Sequence, residues 1–176
     1  LIEAKARHLY YTSFNVILKQ EGFFFEKRTR RPPVDAINAM ISFGNTLLYN
    51  FVLQAIWKTA LDPRIGIMHA TTNRNFSLNL DFADLFKPVI VDRVIFSLIN
   101  LLQLQPTLHF EEKEAGAVYL NKEGKRIFIK VFEDKMSDKI KIGERMYTYK
   151  QIIEEEIRKF QRYIVKGEKY KPYKYW

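Results

Sequence analysis

The sequence contains no cysteine, which excludes disulfide bonds and thiolate ligands to a metal. It is also short of acidic residues, because 20 Asp and Glu stand against 29 Lys and Arg, and the net charge is +9. An excess of positive charge of this size favours an anionic partner, with nucleic acid the first candidate. The absence of cysteine is compatible with a reducing compartment, so we expect a cytoplasmic protein.

No uninterrupted hydrophobic stretch long enough to span a membrane is present. The most apolar segment, residues 34–61, is interrupted by Asp35, Asn38, Asn45, Asn50 and Gln54. Polar residues at these spacings are not tolerated on a helix that faces lipid. We therefore expect a buried central helix and no membrane partner. The amino end, LIEAKARH, is charged, so no signal peptide is expected.

Hydrophobic periodicity and capping residues predict a mainly α-helical domain built around that central helix. The predicted helices cover residues 3–20, 36–60 and 81–104, a fourth that starts at Asn121, and a fifth that follows a capping box of Thr148 and Gln151. Pro88 is expected to kink the third helix. Residues 115–120 could form a strand, so at most one short strand or hairpin is expected. One domain is the default for 176 residues.

The stretch from Pro63 to Arg93 carries the candidate site. His69 precedes a polar loop, and Asp81 and Asp84 follow it three residues apart. On a helix that begins at Asp81, both carboxylates lie on one face and could hold a hard divalent metal together with the imidazole. The same pattern is typical of a helix start, with Asp81 as the cap and Asp84 favoured by the dipole. These residues alone favour the helix start.

Two further segments suit a phosphate backbone. Lys27, Arg28, Arg30 and Arg31 precede Pro32–Pro33, which forbid a helix, so this basic run lies on a loop. It is either a solvated surface or a DNA-binding loop. The carboxy-terminal tail alternates lysines with Tyr170, Tyr173, Tyr175 and Trp176, and these aromatic rings could stack on frayed bases.

Several blocks together resemble the catalytic helical domain of the CRISPR-associated endonuclease of spacer acquisition, the CRISPR integrase. They are IEAKARHLYY, RRPPVDAINAMISFGNTLLY, LDPRIGIMHA, SLNLDFADLFKPVIVDRVIF, GAVYLNKEGKRIFIKVFEDK and YKPY. The resemblance covers nearly the whole chain. It implies a catalytic α-helical domain over residues 1–176, without the β-rich amino-terminal domain that the family carries ahead of its first catalytic acid.

The resemblance implies that Glu3, His69 and Asp84 are the catalytic residues and the ligands of one metal ion. Asp84 is an aspartate where many members have glutamate, and Lys87 stands where arginine is usual. The residues expected to support the site are Asp81, Asn38 and Tyr49. For DNA binding we expect Arg28, Arg30, Arg31 and Arg74, the last because it lies in the loop between His69 and Asp81.

The resemblance further implies an endonuclease and integrase that inserts short DNA spacers into a CRISPR array by phosphodiester transesterification. The expected cofactor is Mg²⁺ or Mn²⁺. The expected partners are double-stranded DNA (spacer precursor and CRISPR repeat), a small CRISPR-associated protein of the acquisition complex, and a second copy in a full-length homodimer. Two other classes remain open, namely a non-catalytic helical DNA-binding module and a protein-interaction module.

Overall fold

The computed structural model describes residues 2–69 and 76–174, except the side chains of residues 2–4 and 7. The chain divides into two compact units, and α3 (Ala36–Trp57) crosses from the first unit to the second. Unit 1 comprises Leu1–Gly44 and Asp92–Phe132, and unit 2 comprises Asn45–Val91 and Glu133–Trp176.

Unit 1 is built from short helices and one hairpin. Its elements are α1 (Ile2–Thr12), α2 (Phe14–Ile17), the start of α3, most of α5 (Val91–Asn100), α6 (Pro106–His109), strands β1 (Phe110–Lys113) and β2 (Ala117–Leu120), and most of α7 (Lys122–Ser137). The two strands pair antiparallel, with Phe110 opposite Leu120.

An aromatic cluster holds the amino-terminal helices of unit 1. Phe14 is fully buried, and its ring packs edge-on against Phe96 with centroids 4.8 Å apart. Phe25 from the following loop packs on the same ring at 5.7 Å. The Tyr10 hydroxyl donates to the buried carboxylate of Asp92 at 2.6 Å. Apolar packing therefore ties α2 to α5, and a charge-assisted hydrogen bond ties α1 to α5.

Unit 2 contains the rest of α3, α4 (Ser77–Phe86), strands β3 (Lys139–Ile142) and β4 (Arg145–Thr148), and α8 (Tyr149–Lys166). The predicted capping box is confirmed, because Thr148 Oγ1 accepts from Gln151 N and Gln151 Oε1 accepts from Thr148 N. Helix α8 ends at Gly167, whose φ of 68° is a conformation that favours glycine.

The mainly α-helical prediction is confirmed. At most one hairpin was expected, and this part was wrong, because the described residues form two hairpins, β1–β2 and β3–β4. The second helix closely matches its predicted bounds, and Asp35 caps it by accepting from Asn38 N at 2.7 Å. The first predicted helix is interrupted at Ser13 and ends at Ile17.

The prediction of the third helix was wrong in two respects, namely its first residue and its continuity. The helix begins at Ser77, where Phe76 is the N-cap residue, so Asp81 lies in the middle of α4 rather than at its cap. Pro88 separates α4 from α5, because proline lacks the N–H that a continuous helix requires. Residues 87–90 form a turn between the two helices.

Helix α3 is long and apolar enough to cross a membrane by length and composition, with a mean hydropathy of 1.2 over its most apolar window. However, 44% of that window is buried inside the protein. The polar side chain of Asn38 is fully buried and hydrogen-bonded. These observations support the predicted central core helix, since core helices of globular proteins have the same composition.

Candidate active site

Helix α4 presents an acidic face and an apolar face. Asp81 and Asp84 are three residues apart and lie on one side, as the 3.6-residue period requires. Phe82 and Phe86, four residues apart, are 2% and 0% exposed. The apolar face packs into unit 2, and this packing fixes the direction in which the two carboxylates point.

Asp81 organises the turn that carries His69. Its Oδ2 accepts from the backbone amides of Ile67 at 2.5 Å and Met68 at 3.1 Å. Its Oδ1 accepts from the backbone amide of His69 at 3.1 Å and lies 2.6 Å from Nδ1 of the same residue. One carboxylate thus satisfies three consecutive amides and one imidazole nitrogen.

These hydrogen bonds also set the charge state of Asp81. Burial of its side chain, which is 6% exposed, raises the pKa of the carboxyl. The bonds from the His69 ring and from the amides of Ile67, Met68 and His69 outweigh burial and hold the pKa below its ordinary value. Asp81 is therefore an anion at neutral pH.

Gly66 makes the close approach of the turn and the helix possible. A Cβ at this position would lie 2.6 Å from the carbonyl oxygen of His69 and 2.6 Å from Cβ of Ser77. It would also lie 3.2 Å from Oδ2 of Asp81. Any larger residue would push the His69 turn away from α4.

The orientation of His69 follows from its bond to Asp81. An anionic carboxylate at Nδ1 requires that nitrogen to carry the proton, so the lone pair of the neutral ring lies on Nε2. The His69 side chain is 41% exposed. This combination of a fixed tautomer and an accessible ring suits a metal ligand or a phosphate contact better than a core histidine.

Asp84 is paired with Lys87, and this ion pair was not among the predictions from the sequence. Lys87 Nζ forms an ion pair with Asp84 Oδ1, and it also lies 4.8 Å from the centroid of the Tyr49 ring. The side chains of Lys87 and Asp84 are only 19% and 27% exposed, respectively. Their spacing of three residues on a helix could have indicated this pair. Tyr49 contacts the cation beside Asp84, and its expected supporting role stays a prediction.

Glu3 belongs to α1 in unit 1, and its side chain lies outside the described residues. Within the described part of the chain, no three His, Asp or Glu side chains form a cluster that could hold a metal. His69 contacts Asp81, and Asp84 lies three residues further along the same helix. The expectation that Glu3 joins them stays a prediction.

Asn38 has a structural role that its sequence context did not show. Its Nδ2 donates to the carbonyl of Lys27 at 2.8 Å, and its Oδ1 accepts from the amide of Thr29 at 2.9 Å. Arg28 Nη1 donates to the same Oδ1 at 2.7 Å. Asn38 therefore fastens the basic loop to the start of α3.

Arg28 differs from its neighbours in the basic loop. Its guanidinium is half-buried and also donates to Ser42 Oγ at 2.9 Å, which gives it a role in holding the loop. Arg30 and Arg31 are exposed. Together with His8 and Tyr11 of α1, Arg30 lines an open cavity of about 320 Å³. Arg74 lies outside the described residues, so its predicted role stays a prediction.

The two described tail tyrosines are engaged within unit 2. The Tyr173 ring stacks on Phe86 with centroids 5.8 Å apart, and the Tyr170 ring packs edge-on against Phe160 at 5.5 Å. The expected stacking on bases is therefore wrong for these two rings in this arrangement. Tyr175 and Trp176 lie outside the described residues.

Comparison with known proteins identifies the family. The profile of the family described as CRISPR associated protein Cas1 matches residues 1–134. A CRISPR-associated endonuclease Cas1 from Thermodesulfovibrio yellowstonii is 47% identical over 175 residues, which is 98% of this chain and 52% of the relative. The endonuclease Cas1 of Clostridium perfringens is 43% identical, over 99% of this chain and 53% of the relative.

Solved structures agree with the sequence relatives. A CAS1 protein from Thermotoga maritima superposes with a TM-score of 0.87 at 40% identity, over 98% of this chain and 53% of that chain. A casposase bound to integration product has the same fold, with a TM-score of 0.83 at 23% identity over 90% of this chain and 47% of its own. This chain spans about half the length of the curated relatives that it matches. It belongs to the Cas1 family of CRISPR-associated proteins.

Proposed function

We propose that this chain supplies the catalytic part of a divalent-metal-dependent DNA endonuclease and integrase, which inserts short DNA into a CRISPR array. Family membership and relatives named as Cas1 endonucleases support the reaction class. The observation that carries the proposal is the bond between His69 Nδ1 and Asp81, because it presents Nε2 on an exposed ring beside the acidic face of α4. A non-catalytic DNA-binding domain does not require this arrangement.

The donor set fits a hard divalent ion. One imidazole and the carboxylates of Asp84 and Glu3 would hold Mg²⁺ or Mn²⁺, whose preferred ligands are oxygen with an occasional imidazole. The assignment of Glu3 rests on the motif resemblance alone. When bound, such an ion supplies Lewis-acid stabilisation of the phosphate undergoing transfer.

The residues around the donors prepare them for that role. Asp81 fixes the tautomer and the direction of the His69 ring. Lys87 balances the charge of Asp84. The amides of the turn 67–69 all donate to the Asp81 carboxylate, which holds His69 beside the acidic face of α4.

DNA contact is assigned to the exposed part of the basic loop. Arg30 and Arg31 present guanidinium groups to solvent, while Arg28 and Asn38 hold the loop in place. Arginine binds phosphate oxygens without regard to base sequence, so these contacts position the duplex and do not select it.

We extend the proposal to the assembly. Structural neighbours with this fold are a casposase bound to integration product and a complex that contains Cas1 and Cas2. By analogy, the intact protein would act on DNA with a partner of the Cas2 kind. The motif resemblance implies that it does so as a homodimer on double-stranded DNA. These partners belong to the proposal, since the neighbours are only 23% identical to this chain.

The test is a strand-transfer and cleavage assay with Mn²⁺, a short duplex and a repeat-containing target, using the intact protein. We expect products that EDTA abolishes, and we expect His69→Ala to reduce them at least about 100-fold while the helical circular dichroism stays unchanged. The matched control is His109→Ala, which removes a histidine that accepts from Gln105 N in unit 1 and should leave the products intact.

Two results would contradict the proposal. Products that persist in EDTA would exclude metal-dependent chemistry. DNA binding without any products, under conditions in which a homologous Cas1 is active, would instead identify a non-catalytic DNA-binding module.

A further inference from the structure

The segment that follows α8, residues 168–174, returns along the helix that it has just left. Gly167, with φ of 68°, allows the chain to reverse direction. Lys159 Nζ then donates to the carbonyl of Lys171 at 2.9 Å, which places that part of the segment back beside α8. We call residues 168–174 the C-terminal strap.

A buried carboxylate fixes the strap. The Glu156 side chain is 1% exposed, and its Oε1 accepts from the Tyr170 hydroxyl at 2.6 Å and from the Tyr173 amide at 3.0 Å. Its Oε2 forms an ion pair with Lys159 Nζ at 2.5 Å. Burying a carboxylate is unfavourable unless it is paired and hydrogen-bonded, so the strap residues are required partners of Glu156.

The hydroxyl of Tyr170 remains a donor over the accessible pH range. Burial raises its pKa, and the hydrogen bond to Glu156 and the charge of that carboxylate raise it further. Burial also raises the pKa of Tyr173. The bond between Tyr170 and Glu156 therefore persists at alkaline pH, at which exposed tyrosines ionise.

The strap and α8 together cover the apolar face of α4. Tyr173 stacks on Phe86 at an interplanar angle of 16°, and Phe160 packs edge-on against Phe82 at 5.5 Å. The Tyr170 ring packs edge-on against Phe160. Phe82 and Phe86 alternate along α4 with Asp81 and Asp84, so any rotation of the helix that moves the phenyl rings also moves the carboxylates.

We propose that the C-terminal strap positions the acidic face of α4. Tyr173 and Tyr170 are the positioning residues, and the buried carboxylate of Glu156 holds both of them by hydrogen bonds. The strap acts through Phe86 and Phe82 on the orientation of Asp84 and on the Asp81–His69 pair. A tail that the sequence marks as basic and aromatic is thereby part of the active-site support. The link to Asp84 as a metal ligand rests on the proposed function.

The test compares Tyr173→Ala with Tyr173→Phe, which keeps the ring and the backbone amide. Hydrogen–deuterium exchange of the metal-free protein reports on α4, and a Mn²⁺ titration followed by electron paramagnetic resonance reports on the site. We expect Tyr173→Ala to accelerate amide exchange over residues 82–86 about tenfold and to weaken Mn²⁺ binding by a similar factor. Tyr173→Phe should stay within about twofold of the native protein in both measurements.

A second pair of variants separates positioning from general loss of stability. Thr148→Ala removes the capping box at the other end of α8 and destabilises unit 2 without touching α4. Glu156→Gln weakens the hydrogen bonds that hold the strap, and it should accelerate the amide exchange of α4 as Tyr173→Ala does. If Thr148→Ala changes α4 exchange and Mn²⁺ binding as much as Tyr173→Ala does, the strap has no positioning role.

The two proposals fail in different ways. If the native protein binds no Mn²⁺ and makes no metal-dependent products, the proposed function fails, and the exchange of α4 amides still decides whether the strap orients the helix. If the native protein is active and Tyr173→Ala leaves α4 exchange unchanged, the strap proposal fails alone.

Discussion

Nδ1 of His69 lies 2.6 Å from Oδ1 of Asp81, although the two residues are twelve positions apart in the chain. The same carboxylate accepts from three consecutive backbone amides, so it holds the shape of the turn as well as the direction of the ring. Asp81 is the residue through which the conformation of the loop and the chemistry of the site are connected.

Replacing Asp81 by Asn should weaken metal binding about 10–100-fold, because the amide does not fix the His69 tautomer as a carboxylate does. It should also lower the free energy of unfolding by about 1–3 kcal/mol, since buried partners lose a charged acceptor. Mn²⁺ titration and urea unfolding measure the two effects. Asp84→Asn is the control: it should lose metal binding with a stability change below about 1 kcal/mol, because Asp84 is partly exposed. Equal metal affinity in Asp81→Asn and the native protein would contradict this role.

The contribution of Asp81 to stability should depend on pH in one direction. Its pKa in the folded protein lies below the ordinary value of 3.8, so folding favours the ionised form. The stabilisation is therefore fully present above pH 3.8 and is lost as the pH falls through the folded-state pKa. The difference in unfolding free energy between the native protein and Asp81→Asn should be constant near neutral pH and should shrink in acid. A difference that grows in acid would reverse the sign of this prediction.

Asn38→Ala should destabilise the protein by about 1–3 kcal/mol, because it leaves the buried partners of a fully buried amide without their hydrogen bonds. Thermal unfolding measures the loss. Ser42→Ala is the control, since it removes one hydrogen bond to Arg28 and leaves the Asn38 bonds intact. If the two variants are equally stable, Asn38 does not hold the loop as the structure indicates.

Replacing Arg30 and Arg31 together by Ala should weaken binding to all duplex sequences alike. If each guanidinium neutralises one phosphate, the slope of log affinity against log salt should fall in magnitude by about 1.8. Fluorescence anisotropy over a salt series measures this slope. The matched control is Lys139→Ala with Lys141→Ala, which removes the same charge from exposed positions of β3. Equal slopes for the two double variants would assign Arg30 and Arg31 to a solvated surface.

Much of the fold could be predicted from the sequence, because the features that define it are local. Asp35, Thr148 with Gln151, and Gly167 are capping residues whose hydrogen bonds span three or four positions, and each acts in the structure as its type predicts. The mainly α-helical class follows from the same local periodicity. The family motifs named Glu3, His69 and Asp84 as metal ligands and Asp81 as a supporting residue. The structure places His69 against Asp81, with Asp84 three residues further along the same helix, and the Glu3 side chain lies outside the described residues.

Residue types and their spacing show which side chains carry charge, cap a helix or bind a metal, whereas the partner of each side chain depends on how the chain packs. Asp81 was a plausible helix cap, but α4 begins four residues earlier and the carboxylate binds a turn twelve positions away. Tyr170 and Tyr173 were plausible base-stacking residues, but they contact Glu156 and Phe86 across long stretches of chain. The physical reason is that a buried carboxylate or ring takes its partner from whatever the packed core places beside it, and that choice depends on long-range packing rather than on local spacing.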